Sequence, residues 1–313
     1  AAAALALVAP PLRRAREEAA SMLPTAPRIY AIGGFNELRG GRLSVVECYN
    51  PERGSWAPAP RALPAARDGL GAVAVAGRVY AVGGSNSHYE AVDTVERYDP
   101  RTGSWEVLAP LSVARRALAV ADLDGSVYAL GGHDDRETLG VAERFDLAAG
   151  RWRQVAPMRV ARWYLAAVAH GGALYAVGGA DEDLNPMSVV ERYDPAWDRW
   201  QPAAPLPTAR GALAAAAAGS KIYALGGGDL LGPLSTVELY DPVLDEWRQV
   251  TSMPTARCGV SAAVADGCIY VMGGNGDGFI SVADDSKLDI VERYDPRLDA
   301  WERVAGMPTA RSH

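Results

Sequence analysis

The chain has 313 residues, 49% of them hydrophobic, with 33 glycines and 21 prolines, a composition that suits many short strands joined by turns. Its net charge of −7 disfavours broad binding to nucleic acid or anionic membranes, and no stretch reaches the roughly 20 apolar residues of a membrane helix. Three cysteines, Cys48, Cys258 and Cys268, give no disulfide framework and fit a reducing, cytoplasmic setting. The opening segment, residues 1–27, is apolar from Ala1 to Pro10 and charged from Pro11 to Met22. It lacks a basic n-region, so it reads as the end of an upstream module more than as a signal peptide.

From residue 28 onward the chain repeats. A Tyr-x-x-Gly-Gly string recurs six times, beginning at Tyr30, Tyr80, Tyr128, Tyr175, Tyr223 and Tyr270, with steps of 50, 48, 47, 48 and 47 residues. A Glu-x-aromatic string follows each, from Glu47, Glu96, Glu143, Glu191, Glu238 and Glu292. Then come Trp56, Trp105, Trp152, Trp200, Trp247 and Trp301. An Ala-Arg pair ends each unit, at Arg67, Arg115, Arg162, Arg210, Arg257 and Arg311. A period near ~50 with four markers in step is a propeller signature, the units being about 17–67, 68–115, 116–162, 163–210, 211–257 and 258–311.

Each unit reads as four strands. In the second, Gly71 to Ala76 forms strand A, Arg78 to Val82 strand B, and Thr94 to Tyr98 strand C. An Asp-Pro turn then leads into strand D near Trp105. The tryptophans are expected to be mostly buried between blades, the Glu of strand C to be a structural hydrogen-bonding partner, and the double glycine to permit close backbone approach. For the first unit, Pro11 to Arg16 echoes the unit endings, so Glu17 to Ala26 is expected to supply strand A; the alternative is a strand after His313.

Double glycine, Tyr and Trp in this order resemble the Kelch-repeat family, and in particular the Kelch domains of Kelch-like adaptor proteins. The resemblance covers roughly residues 28 to 311. It implies an all-β, six-bladed propeller of four-stranded antiparallel blades around a central channel. It further implies a protein-binding domain that, through an upstream BTB–BACK module, brings substrates to a cullin-type ubiquitin ligase. Family members that bind actin or the cytoskeleton, and carbohydrate-acting propellers such as sugar mutarotases, are the alternatives.

In an antiparallel blade the B–C loops and D–A turns share one face, and the A–B and C–D turns share the other. The B–C loops vary, which makes their face the expected binding surface. They contribute Phe35, His88, Tyr89, His133, Asp134, Asp181, Asp183 and Asn275. The D–A turns add Arg116, Trp163 and Tyr164. Trp163 and Trp197 fall outside the repeat pattern. The sixth loop is the longest, its polar, Gly-containing stretch running from Gly276 to Lys287, and is expected to move.

Arg67, Arg115, Arg162, Arg210, Arg257 and Arg311 would ring the channel mouth, where two roles stay open. They either brace neighbouring blades or present forks to carboxylates, and in the adaptors that this chain resembles, arginines at this turn help grip acidic peptide motifs. The expected ligand is a short acidic or mixed-charge peptide, with Asp134, Asp181 and Asp183 setting its placement by repulsion.

No phosphate loop, dinucleotide fingerprint or nucleophile elbow is present. His88 and His133 lie on adjacent loops, with Asp134 and Asp135 near, but the Cys, two Tyr and two His of a copper radical site do not converge in the sequence pattern. The reading is therefore a non-catalytic domain with no cofactor and no metal.

Overall fold

The computed structural model describes residues 4–8, 27–277 and 287–312. Six four-stranded antiparallel sheets make up the protein, and each pairs its strands in chain order from A to D. Blade 1 comprises Ala4–Val8, Arg28–Ile32, Val46–Asn50 and Ser55–Pro58. Blade 2 comprises Gly71–Val75, Arg78–Val82, Val95–Asp99 and Ser104–Val107, and blades 3 to 6 repeat the plan up to Ala300–Val304. A short pair, Phe35–Asn36 with Gly41–Arg42, carries one 3-10 turn at Glu37–Arg39. There is no α-helix among the described residues.

Strand A of the first blade is Ala4–Val8, paired with strand B from Ala4 opposite Ile32 to Val8 opposite Arg28. The expected segment, Glu17 to Ala26, lies outside the described residues, and its place is taken by this earlier, uniformly apolar run. An innermost strand needs small apolar residues on both faces, which Ala4–Val8 offers and the charged stretch after it does not.

Sequence alternation is subdued in strand B because both faces are covered. Val79, Tyr80, Ala81 and Val82 are all at most 1% exposed. Packing between blades runs through a repeated aromatic relay. Tyr128 of blade 3 meets Tyr193 of blade 4 edge-on at 5.8–5.9 Å, as Tyr175 meets Tyr240 and Tyr223 meets Tyr294. Each of those partners then lies about 5 Å from the Trp of its own strand D, as Tyr193 does from Trp200. The Trp indole N–H donates to a carbonyl of the preceding blade, for example Trp200 to Ala156 at 2.8 Å and Trp247 to Ala204 at 2.8 Å. Of the six, only Trp200 is buried; the others are half-exposed, because strand D is the outer edge and only one indole face and the N–H are covered.

The same devices join blade 6 to blade 1. Trp56 donates to the Ala305 carbonyl, Tyr270 packs on Tyr49, and Thr309 donates to Glu47. The double glycines are explained by one distance: a Cβ on Gly83, at φ 61°, would stand 2.6 Å from the Arg115 carbonyl oxygen.

Candidate functional site

All six unit-ending arginines are buried, none more than 2% exposed. Each guanidinium pairs with the strand C glutamate of the blade that follows it: Arg67 with Glu96, Arg115 with Glu143, Arg162 with Glu191, Arg210 with Glu238, Arg257 with Glu292, and Arg311 with Glu47. Other guanidinium N–H groups go to backbone carbonyls, as Arg257 does to Gly273 and Ile290 at 3.0 Å each. Desolvation works against the guanidinium charge and lowers its pKa to about 10 at Arg115 and Arg257, the glutamate offsetting only part of that. Of the two roles open in the sequence, the structure thus gives these arginines the bracing one. They offer no fork to a ligand, and the expected positive ring at the mouth is absent, because a cation this deep must be neutralised by its own scaffold.

The mouth is built by two backbone layers. In the first, the residue after each arginine bridges the first residue of a B–C loop, as Arg116 bridges His133 and Trp163 bridges Ala180. In the second, the next residue along donates to its counterpart in the preceding blade: Ala117 to Gly69, Tyr164 to Ala117, Ala212 to Tyr164 and Gly259 to Ala212, at 2.8–2.9 Å. These five residues share a left-handed conformation, φ 51–62°. Four are Gly or Ala, and Tyr164 is the large exception. Its ring lies 4.5 Å from Trp163 and packs with Ala212, Ala180 and Cys258, filling the mouth. Burial pushes its hydroxyl up to about 12.

Around Tyr164 a polar and aromatic crescent runs over blades 1 to 4. Arg42 donates to Asp68 at 2.8 Å and to the Ser85 hydroxyl at 2.9 Å, with its guanidinium 4.0 Å above the Tyr89 ring. Tyr89 is 65% exposed. Arg116 donates to the Tyr89 carbonyl and pairs with Asp135 at 3.1 Å. His133 stacks on Trp163 at 4.8 Å, with its Nε2 at 3.4 Å from Glu182. Trp163 donates its indole N–H to the Asp181 carbonyl at 2.8 Å. Arg42 is absent from the sequence-based set. It lies eight residues beyond its double glycine, inside a loop with no fixed pattern, so only its neighbours reveal it.

The other expected site residues take different places. Asp134 and Asp181 accept backbone N–H groups of their own loops, from Arg136 and Glu137 and from Asp183 and Asn185. The Asn185 side-chain amide at Asp181 and the Glu137 N–H at Asp134 lead in holding the two carboxyls below the usual range, so both shape loops first. Asp183 is exposed beside Asp181. Asn275 is 1% exposed, and its side-chain oxygen accepts the Asp277 N–H, which turns it inward. Phe35 is half-buried, with the Lys287 ammonium 5.8 Å from its ring. His88 is exposed on the blade 2 loop. His133 takes the Asp135 N–H on Nδ1, and among the described residues no three or more His, Cys, Asp or Glu groups are placed to hold a metal. Most of the long sixth loop, residues 278–286, lies outside the described residues.

A model described as "Kelch motif" matches six successive segments, residues 20–61, 66–112, 114–159, 162–207, 209–254 and 256–308. The chain belongs to the Kelch-repeat family. It is 32% identical to Kelch-like protein 35 of Mus musculus over 36% of this chain and 19% of that protein. It is 35% identical to Kelch-like ECH-associated protein 1B of Danio rerio over 35% of this chain and 19% of that one. A shorter match, 43% identical over 67 residues, is to the influenza virus NS1A-binding protein homolog of Mus musculus, covering 21% of this chain and 10% of that protein. The matched region thus spans about a fifth of the length of the first two relatives. No helix among the described residues is long and apolar enough to cross a membrane.

Proposed function

We propose that this Kelch propeller recognises a short segment of a partner protein on its B–C/D–A face, as the substrate-recognition part of a Kelch-like adaptor for a cullin-type ubiquitin ligase. Protein binding is the role of Kelch-like propellers, and the adaptor assignment adds a BTB-bearing module and a cytoplasmic location. The observation that carries the reading is the continuous crescent of Arg42, Tyr89, Arg116, His133 and Trp163 around a mouth filled by Tyr164. Tyr, Trp and Arg are the side chains that most often anchor protein ligands, and Tyr89 is the most exposed of the five.

The electrostatics narrow the ligand to mixed charge. Arg42 and Arg116 already hold Asp68 and Asp135, so a ligand carboxylate competes with an internal one. The B–C loops of blades 2 to 6 each contain more carboxylates than cations, so cations on the ligand gain from Glu182 and Asp183. Asp134, Asp181 and Asp183 keep the part of setting placement by repulsion.

The test compares the proteins retained by wild type and by a Tyr89→Ala/Arg116→Ala variant, then measures affinity for the segment bound. Each substitution is expected to cost about 1–3 kcal/mol of binding with the melting temperature unchanged. Trp163→Ala is less clean, since Trp163 also packs on the mouth. An unchanged set of partners in the double variant overturns the placement of the site. Absence of a BTB domain from the full reading frame overturns the adaptor role.

A further inference from the structure

The C–D turns lie on the face opposite the loops, and the fold asks little of them. The leading Asn or Asp accepts N–H groups from within the turn, as Asn50, Asp99, Asp146, Asp194, Asp241 and Asp295 all do. The last residue is left-handed and is Gly in blades 1 to 3 or Asp in blades 4 to 6. The two residues before it are free. Blades 1 and 2 fill them with Glu52-Arg53 and Arg101-Thr102, as a solvated turn would.

Blades 3 to 6 do the opposite. Their tips are Ala148-Ala149 behind Leu147, then Ala196-Trp197, Val243-Leu244 and Arg297-Leu298. Trp197 is 73% exposed, Val243 88%, Leu244 63%, Leu298 73% and Leu147 37%. Four adjacent blades thus hold large apolar groups out to solvent, where two other blades show that polar residues serve the same turn. One arc of that kind marks a surface that is covered in use.

We infer that this arc is a self-association surface, packed face to face on a second copy of the chain about a two-fold axis. The order of the tips around the ring selects this occupant. An axis lying in the interface and bisecting the apolar arc runs between blades 4 and 5, and leaves on the far side between blades 1 and 2. It lays blade 4 on blade 5 of the second copy and blade 3 on blade 6, so every apolar tip meets an apolar tip. It also lays blade 1 on blade 2, which sets Glu52 against Arg101. A two-fold interface must be self-complementary, and here the apolar arc meets itself and Glu52 meets Arg101, while Arg297 at the edge of the arc keeps its own Asp295.

Size agrees. Five apolar side chains at on the order of 100 Å² apiece give roughly 500 Å² per copy, and roughly 1,000 Å² for the pair before any polar rim is counted. That meets the lower bound of about 1,000 Å² for a specific interface, which suits a reversible dimer. The loop faces then point away from each other. Two peptide sites are presented by one particle, and a partner with two motifs gains avidity.

Sedimentation velocity on the intact chain across a wide concentration range tests this. The expected result is a monomer–dimer equilibrium that a Trp197→Ser/Leu244→Ser/Leu298→Ser variant weakens at least about tenfold, with its melting temperature unchanged because these side chains are mostly exposed. Glu52→Arg should weaken the dimer and Arg101→Glu in the same chain should restore it, a pattern that a non-specific apolar contact would not give. A chain that stays monomeric at every concentration overturns the inference. So does a dimer that survives the triple variant, or one indifferent to the charge reversal.

Discussion

Arg257→Met should unfold much of the protein's margin of stability without touching its binding face. Arg257 is fully buried and its Nη2 lies 2.8 Å from Glu292, itself 1% exposed. Methionine keeps most of the apolar stem but deletes the cation. Glu292 then retains the Thr255 hydroxyl at 2.7 Å as its remaining side-chain donor, in a site closed to water. Breaking a buried pair in this way costs about 3–5 kcal/mol, a large share of the about 5–15 kcal/mol that holds a domain together. The lost bonds to backbone add less, since the Ile290 carbonyl also accepts the Gly273 N–H at 2.9 Å.

The diagnostic is the second substitution. Glu292→Gln alone removes the counter-ion of Arg257 and should destabilise. In the Arg257→Met background it removes an orphaned charge and should recover roughly 2 kcal/mol, reversing sign. Urea unfolding followed by tryptophan fluorescence gives all four corners of the cycle. A cost for Arg257→Met below about 1 kcal/mol, or a Glu292→Gln effect of the same sign in both backgrounds, refutes the bracing role.

Three further outcomes follow from other parts of the structure. Burial raises the hydroxyls of Tyr270 and Tyr164 to about 12 and of several other tyrosines further. A raised acid means the folded state holds its proton longer, so this stability is whole below the unfolded value near ~10 and is lost as pH rises from there toward 12. Melting temperature should therefore fall above about pH 10, and a flat profile up to about pH 12 contradicts it. A Cβ on Gly71 would overlap the Val120 side chain inside the channel, so Gly71→Ala should cost about 1–3 kcal/mol in thermal unfolding, and Val120→Ala should rescue it in part. Gly54 stands where blades 5 and 6 have Asp245 and Asp299, each of which takes its own tyrosine hydroxyl and a neighbour's backbone N–H. Gly54→Asp should add such a link to Tyr49 and raise stability by about 0.5–1.5 kcal/mol, and a lower melting temperature would count against it.

The repeat was legible because each marker has one physical task repeated six times. The double glycines, the Tyr-to-Trp relay and the strand C glutamates all take the places that their spacing implies. The arginines show where spacing stops. It puts them on a shared face, but depth below that face depends on a glutamate about thirty residues away, as for Arg162 and Glu191. The first strand A went to Ala4–Val8, an uninterrupted apolar run, whereas the stretch expected to supply it, Glu17 to Ala26, lies outside the described residues. Arg42 was illegible for the opposite reason, since its role comes from Asp68, Ser85 and Tyr89 on the adjoining blade.

Six equivalent positions act as internal controls, and departures from them separate use from architecture. At the mouth, φ near +60° is met at least cost by Gly69 and Gly259, and tolerably by Ala117 and Ala212. Tyrosine in that conformation is disfavoured by about 1–2 kcal/mol, so Tyr164 is not what the ring requires. Its neighbour Trp163 stands where Gly211 and Cys258 suffice elsewhere. The two together turn an open channel end into a closed aromatic floor beside Arg116 and His133. The same comparison on the other face sets Trp197 and Leu298 against Arg53 and Thr102, in turns of one geometry. A scaffold that specifies its blades so fully leaves few positions free to vary. Where those positions carry large apolar groups that stay exposed, as Trp197 and Leu298 do, the architecture itself does not account for them.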